Sequence, residues 1–301
     1  MNEKEIYDDD VIIIGGSEWK PGNTGGKDLP EAGRGSNGSG ARGRWKAAAI
    51  AMGACLVLLA GFLAVKHFYY TSKFPKSRSD KEVIAMLGKR MPGQPGVHFT
   101  KVSAMGVELN VYGLSGLQVH FADTVPDISA PVVYLVTRSA DYMIRNDARA
   151  IIGDFVQDGE VLARSRWRAG FLAVADGNAV IGISRGDRIR RHVLEHDGSF
   201  FRQLAIVSAG VRCDSQYILK GKVTRCAYAR DEAGKLYFVE TVSPETLYGF
   251  ADALIEYGFV DAVYVTGGRQ PELFYRDAEG IPHGSYIDDK PHKLVVWTGK
   301  L

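Results

Sequence analysis

The chain has 301 residues, 46% hydrophobic and 24% charged, with 37 Lys+Arg against 35 Asp+Glu and a net charge of +2. Such averages exclude a wholly disordered or collagen-like chain, and a mean hydropathy of -0.10 excludes a polytopic membrane protein. They also argue against a nucleic-acid binder, because no bulk basic field is left to attract phosphates.

One number is out of line: 35 glycines, about 12% against a usual level of roughly 7%. Ten of them lie between Gly15 and Gly43, among Ser, Asn and Pro, with Trp19 and Leu29 as the large apolar side chains. Too little apolar surface is present there to offset ordering entropy, so residues 1–45 read as a disordered, Gly-rich tail. Within it, Asp8-Asp9-Asp10-Val11-Ile12-Ile13-Ile14-Gly15-Gly16 has the look of a first dinucleotide-fold strand. No G-x-G-x-x-G follows, and Pro21-Gly22 blocks a helix; an apolar patch or a docking peptide is the simpler reading.

Ala47 to Val65 is a 19-residue run without charge. At 1.5 Å per residue it spans about 28 Å, close to the roughly 30 Å hydrocarbon layer. Trp45 and Phe68-Tyr69-Tyr70 bracket it as interfacial aromatics. The run exceeds a signal-peptide core, so 46–66 reads as a transmembrane helix. Basic residues flank both ends almost equally: Arg34, Arg42, Arg44 and Lys46 before, Lys66, Lys73, Lys76, Arg78 and Lys81 after. A short tail rarely crosses, so the tail is expected in the cytoplasm and the large domain outside, in a bacterial inner membrane.

Residues 67–96 read as a basic stalk holding one short helix, with Ser79 and Glu82 as a capping box and Val83, Ile84 and Leu87 as its apolar face. From 97 to 301 the pattern turns to short alternating runs: Val107–Val111, Leu117–Phe121, Val132–Thr137, Phe171–Val174, Ala179–Ile183, Leu204–Val207, Tyr217–Leu219 and Leu236–Thr241. Ala140–Asp147 reads as a helix. A clearer one follows Ser243-Pro244, with Leu247, Phe250, Ala251, Leu254 and Ile255 on one face and Gly258 as its stop. With the strands Leu236–Val242 and Val260–Val265 it makes a strand–helix–strand unit running into Thr266-Gly267-Gly268. The fold class is α+β: a strand-rich exported domain with few helices, after one transmembrane helix.

Chemistry-bearing motifs are sparse. His192-Val193-Leu194-Glu195-His196 fits H-x-x-E-H, but Arg188, Arg190 and Arg191 crowd it, which disfavours a dication; a solvated charged segment is the better reading, and no metal or cofactor is expected. The basic run Arg185 to Arg191 is either an anion site or a solvated face. Cys213 and Cys226 flank the hairpin Tyr217–Thr224 and are either a disulfide or two buried thiols. Arg225 opens a strand; its guanidinium fork suits phosphate, against the plain alternative of a surface ion pair.

Taken in order, several stretches resemble the phosphodiester glycosidase family of uncovering-enzyme-like domains. They are Leu204–Gly210, Leu219–Val223, Arg225-Cys226-Ala227-Tyr228, Glu232–Val239, the Leu247–Tyr257 helix and Asp261–Gly268. Upstream, Ala150-Ile151-Ile152-Gly153-Asp154-Phe155 is similar to the family's A-I-N-G-G-F-F, and Phe171 to Ile183 to the strand pair after it. The resemblance implies hydrolysis of a sugar–phosphate diester. It implies catalytic positions at Arg225 and Thr266, with Asp154, which stands where the family has Gly, as a candidate catalytic acid in that motif, and Gly267, Gly268 and Arg269 against a carbohydrate or sugar-phosphate ligand. The chain departs from the family where Ile152 replaces Asn, Thr266 replaces the acid of D-G-G, and Gln270 replaces Ser. Thr266 cannot act as a carboxylate and Ile152 cannot hydrogen-bond through its side chain. Either other acids (Asp154, Asp158, Asp214, Glu240) take over, or the domain keeps the fold and binds an envelope glycan or partner without the chemistry.

Overall fold

The computed structural model describes residues 40–73, 75–139, 142–145, 148–165, 168–213, 221–265, 273–285 and 293–299. The elements begin with α1 (Gly40–Lys73), α2 (Asp80–Leu87), β1 (Gly96–Ala104), β2 (Val107–Ser115), β3 (Gln118–Ala122) and β4 (Val133–Arg138). There follow β5 (Tyr142–Arg145), β6 (Ala148–Ile151), β7 (Phe155–Gln157), β8 (Glu160–Ala163), β9 (Gly170–Ala175), β10 (Asn178–Ile183) and α3 (Arg188–Glu195). The series closes with β11 (Ser199–Gln203), β12 (Ala205–Ser208), β13 (Val211–Arg212), β14 (Cys226–Asp231), β15 (Leu236–Thr241), α4 (Leu247–Tyr257), β16 (Phe259–Val265), β17 (Leu273–Arg276), β18 (Pro282–Ser285) and β19 (Leu294–Thr298).

The chain divides into two units, with α1 in one and everything from Phe74 onward in the other. Within α1, Ala48–Val65 is an 18-residue window of mean hydropathy 2.5, long and apolar enough to cross a membrane, and none of it is buried by protein. Of the expected tail, residues 1–45, the first 39 lie outside the described residues and 40–45 form the start of α1.

Among the described residues, three larger antiparallel sheets and the two-stranded β5-β6 sheet make the other unit. Sheet A has the order β1-β2-β15-β14-β16-β12-β13, sheet B β18-β17-β4-β19-β3, and sheet C β10-β9-β11-β7-β8. Tight hairpins follow from Asp or Met before Gly: Met105-Gly106, Asp158-Gly159 and Asp176-Gly177 all take positive φ at both positions. That is the type I′ geometry, whose twist matches paired strands. The inner faces of the three sheets share one apolar core, including Tyr112, Leu135, Phe155, Phe201, Tyr228, Val263 and Trp297. The other face of sheet A packs Leu109, Val111, Val239 and Tyr264 against Leu247, Phe250 and Leu254 of α4.

The expected strand–helix–strand unit is present. β15 and β16 both pair antiparallel with β14, which lies between them, so they run parallel and α4 crosses over. Gly258 ends α4 in the left-handed conformation at φ 109. The N-cap is Thr246, not Ser243: its side chain accepts from the Gly249 amide at 3.0 Å. The helix cannot begin at Pro244 because Glu245 is held extended in a bridge to Val223.

Two other expectations meet a different structure. Ala140–Asp147 is no helix: Tyr142–Arg145 pairs with Ala148–Ile151 as a hairpin. The β-branched and aromatic content of that stretch wins over its brief apolar spacing. Nor is 75–96 a free spacer. The Ser79–Glu82 capping box forms, but Val83 and Leu87 are buried with Phe171, Val193 and Phe200 beneath α3 and sheet C. Ser77 donates to Asp261 at 2.5 Å, and the Ser208 hydroxyl to the Pro75 carbonyl, so the chain is fastened to the domain from Pro75 onward.

Candidate functional site

Arg225 is no surface ion pair; it is 0% exposed. It lies just before β14 on the α4 side of sheet A. Its Nε donates to Glu245 O at 3.0 Å, one terminal nitrogen to Tyr264 OH at 3.2 Å, and the other to Gly221 O at 3.0 Å. Its backbone amide donates to Thr241 Oγ1 at 2.9 Å. These contacts pin the loop entering β14 to the turn before α4. Thr266, Gly267, Gly268 and Arg269 lie outside the described residues, as do Asp214 and Gln270.

Asp154 sits elsewhere, on the α3 side of sheet C and 4% exposed. Arg190 Nε donates to its Oδ1 at 3.1 Å, and Arg202 Nε is 3.5 Å from Oδ2. Burial pushes its pKa up, while the Arg190 and Arg202 guanidiniums oppose that shift. One carboxylate between two guanidiniums is a structural tie, and removing it would strand buried charge. The basic run is therefore not wholly solvated: Arg190 turns inward with Ile189 and Val193, while Arg188 and Arg191 stay exposed. Gly153, which precedes Asp154, has φ +114, and a Cβ there would strike the Arg202 carbonyl oxygen. So Asp154 and Arg225 serve separate polar clusters on different sheets.

The remaining motif residues are also placed. His192 and His196 have ring centroids 4.3 Å apart, and His196 Nδ1 is 3.6 Å from Asp176. No group of three metal-ligating side chains occurs among the described residues. Cys213 packs with Ala169, Ile183 and Ala205, whereas Cys226 borders the central core, so each thiol belongs to a different apolar cluster. Asp158 caps a hairpin turn and its carboxylate accepts from Ser199 at 3.2 Å.

The acid with a built surround is Glu240. It ends the inward row of β15, after Leu236 and Phe238, and is only 7% exposed. In register it stands between Asn110 on β2 and Cys226 on β14. Tyr112 OH donates to Glu240 Oε1 at 2.8 Å, and Asn110 Nδ2 donates to the same oxygen at 3.0 Å. Burial, then the neighbouring Glu240 carboxylate, drives the Tyr112 phenol far above its ordinary pKa, so it remains a proton donor at neutral pH. Tyr275 on β17 is shifted the same way, first by burial, then by Asp277 and Glu240. Asp277 in turn holds the His283 ring at 2.6 Å. That bond is the largest of the effects lowering its pKa.

The arrangement is thus a row of groups: Glu240 with Asn110 and Tyr112, then the Tyr275 ring, then His283 held by Asp277. Such a set can hold hydroxyls and move protons. Tyr112, Asn110, Tyr275, Asp277 and His283 carried no motif in the sequence. Asn110 and Tyr112 were signalled by a break in alternation, polar groups at inward positions of β2, whereas Tyr275, Asp277 and His283 carried no such signal.

No protein-family model matches the chain, and no curated protein is similar to it in sequence. Solved structures give a distant likeness. One is the catalytic domain of zebrafish N-acetylglucosamine-1-phosphodiester alpha-N-acetylglucosaminidase, auto-inhibited by its pro-peptide. It is 10% identical with a TM-score of 0.48, over 71% of this chain and 87% of that one. Another is a hypothetical protein from Synechocystis, 10% identical with a TM-score of 0.49, over 67% of this chain and 62% of that one.

Proposed function

We propose that the chain is a membrane-anchored, phosphodiester-glycosidase-like protein acting on sugar-phosphate or glycan links in the cell envelope, with its strand-rich domain outside the cytoplasm. One observation carries the reading: Glu240, a buried carboxylate, accepts from Tyr112 and Asn110, and the Tyr112 ring meets Tyr275, which stacks on the His283 ring held by Asp277. Glycosidic hydrolysis asks for a pair of acids, one to protonate the leaving oxygen and one to assist attack at the anomeric carbon. On this reading Glu240 and Asp277 replace the acid lost at Thr266, and Arg225 builds the loop rather than touching substrate.

A second reading has its own support. Asp154 and Arg225, two positions the family resemblance implies as catalytic, spend hydrogen-bonding groups inside the domain. That favours a relative that binds an envelope glycan without cleaving it. The full chain in zwitterionic detergent, offered a glycosyl 1-phosphodiester and a neutral oligosaccharide, separates the two. Sugar release reduced at least about a hundredfold in Glu240→Gln supports hydrolysis. No release above buffer at high enzyme rejects hydrolysis and leaves the binding reading.

A further inference from the structure

β1 is the edge strand of sheet A and β18 the edge strand of sheet B, and a parallel bridge from Val97 to Asp277 joins the sheets beside them. Phe99 lies two residues past that bridge, opposite Tyr112 in register and so on the inward row, yet it is 43% exposed. Its ring stacks on Tyr275 at 5.6 Å and 29°. Tyr275 stacks on His283 at 4.7 Å and 16° and meets Tyr112 edge-on at 4.9 Å. Phe99, Tyr275 and His283 therefore form a ledge of stacked rings, part open to water, where the two sheets part. Its polar neighbours are Asp277, Asn110 and, deeper, Glu240.

An exposed ring surface beside fixed hydrogen-bonding groups suits a ligand with an apolar face and a polar rim. A pyranose has that shape: axial C–H bonds on its faces and hydroxyls round its edge. Charge decides between a neutral and an anionic ligand. Asp277 holds the His283 ring at 2.6 Å and Glu240 accepts from Tyr112, whose ring meets Tyr275 at 4.9 Å, so two carboxylates border the rings. They repel a phosphate, and of the two kinds of link proposed above the rings suit the neutral glycan. We propose that the ledge of Phe99, Tyr275 and His283 binds a neutral, gluco-configured pyranose unit of a glycan chain. All ring hydroxyls of that configuration are equatorial, so neither face presents an oxygen to the rings. The proposal rests on the reading of Glu240 as a glycan site, but it requires binding only, not bond cleavage.

The test is calorimetric titration of the full chain, in phosphocholine micelles, with cellotetraose and with chitotetraose. Saturable binding of at least one is expected. It should weaken by about tenfold in Phe99→Ala and again in His283→Ala, with the thermal midpoint of Phe99→Ala unchanged because the ring is half open to solvent. Failure of both sugars to bind would overturn the proposal. So would equal binding by Phe99→Ala, or displacement of the neutral sugar by a lower concentration of glucose 1-phosphate. Binding without any sugar release would sink only the hydrolase reading.

Discussion

Asp154 shows how a residue can be found by sequence and still be misjudged. The likeness to A-I-N-G-G-F-F singles it out, but the helix that reaches it, α3, looks like a solvated basic run. Nothing in a string of arginines says which one turns inward; Ile189 and Val193 decide that by burying one face, and Arg190 follows. Asp154→Ala should cost about 3–5 kcal/mol in urea unfolding, since two buried guanidiniums lose their shared counter-charge; a loss under about 1 kcal/mol would mean the cluster is held by other groups. Asp277 supports a pH prediction. Its pKa is lowered in the folded state, above all by the His283 hydrogen bond, so its contribution is present above the ordinary value of 3.8 and fades as pH falls through the lower folded value. The thermal midpoint should therefore fall on acidification below about pH 4, and Asp277→Asn should flatten part of that fall. Glu240 was visible among several acids, but its distinction needed the register that sets it between Asn110 and Cys226.

At the level of elements, periodicity and punctuation were good guides where they coincided. The Ser79–Glu82 box, Gly258 and the alternation of Leu236–Thr241 all have local causes, and each forms. The cap of α4 moved to Thr246 because a tertiary bridge from Val223 to Glu245 overrides the preference for Pro at a first helical turn. Thr246→Ala is expected to cost about 1 kcal/mol, with Ser243→Ala near neutral; the reverse order in a thermal melt would contradict the cap assignment. β17, β18 and β19 went unread because they are only four, four and five residues long, too short for alternation to stand out, and β17 and β19 join the sheet through β4 and β3, more than a hundred residues away, with β18 paired to β17. Those strands supply Tyr275 and His283, so half of the candidate site was hidden with them.

For the whole molecule, composition concealed the organisation. The net charge of +2 averages over a charge-free helix window, a basic stretch after it and a domain that carries both signs. Deleting residues 1–73 should move the protein from the membrane pellet to the supernatant with its melting transition retained, because the packed unit begins at Pro75 with Ser77 and Ser208 already engaged. A fragment that stays with membranes would place another anchor in the domain. Protease added to spheroplasts, whose outer membrane is opened, should trim the domain; protection until the cytoplasm is opened would reverse the topology.

The central claim is that the proposed sugar site is centred on Glu240 rather than on Arg225 or Asp154. The most direct measurement is a structure of the full chain with a bound glycoside. The account predicts a pyranose against Tyr275 with a hydroxyl or glycosidic oxygen within hydrogen-bond distance of Glu240. A sugar lodged instead at the Asp154–Arg190–Arg202 cluster, or on the α4 side of sheet A beside Arg225, would contradict it.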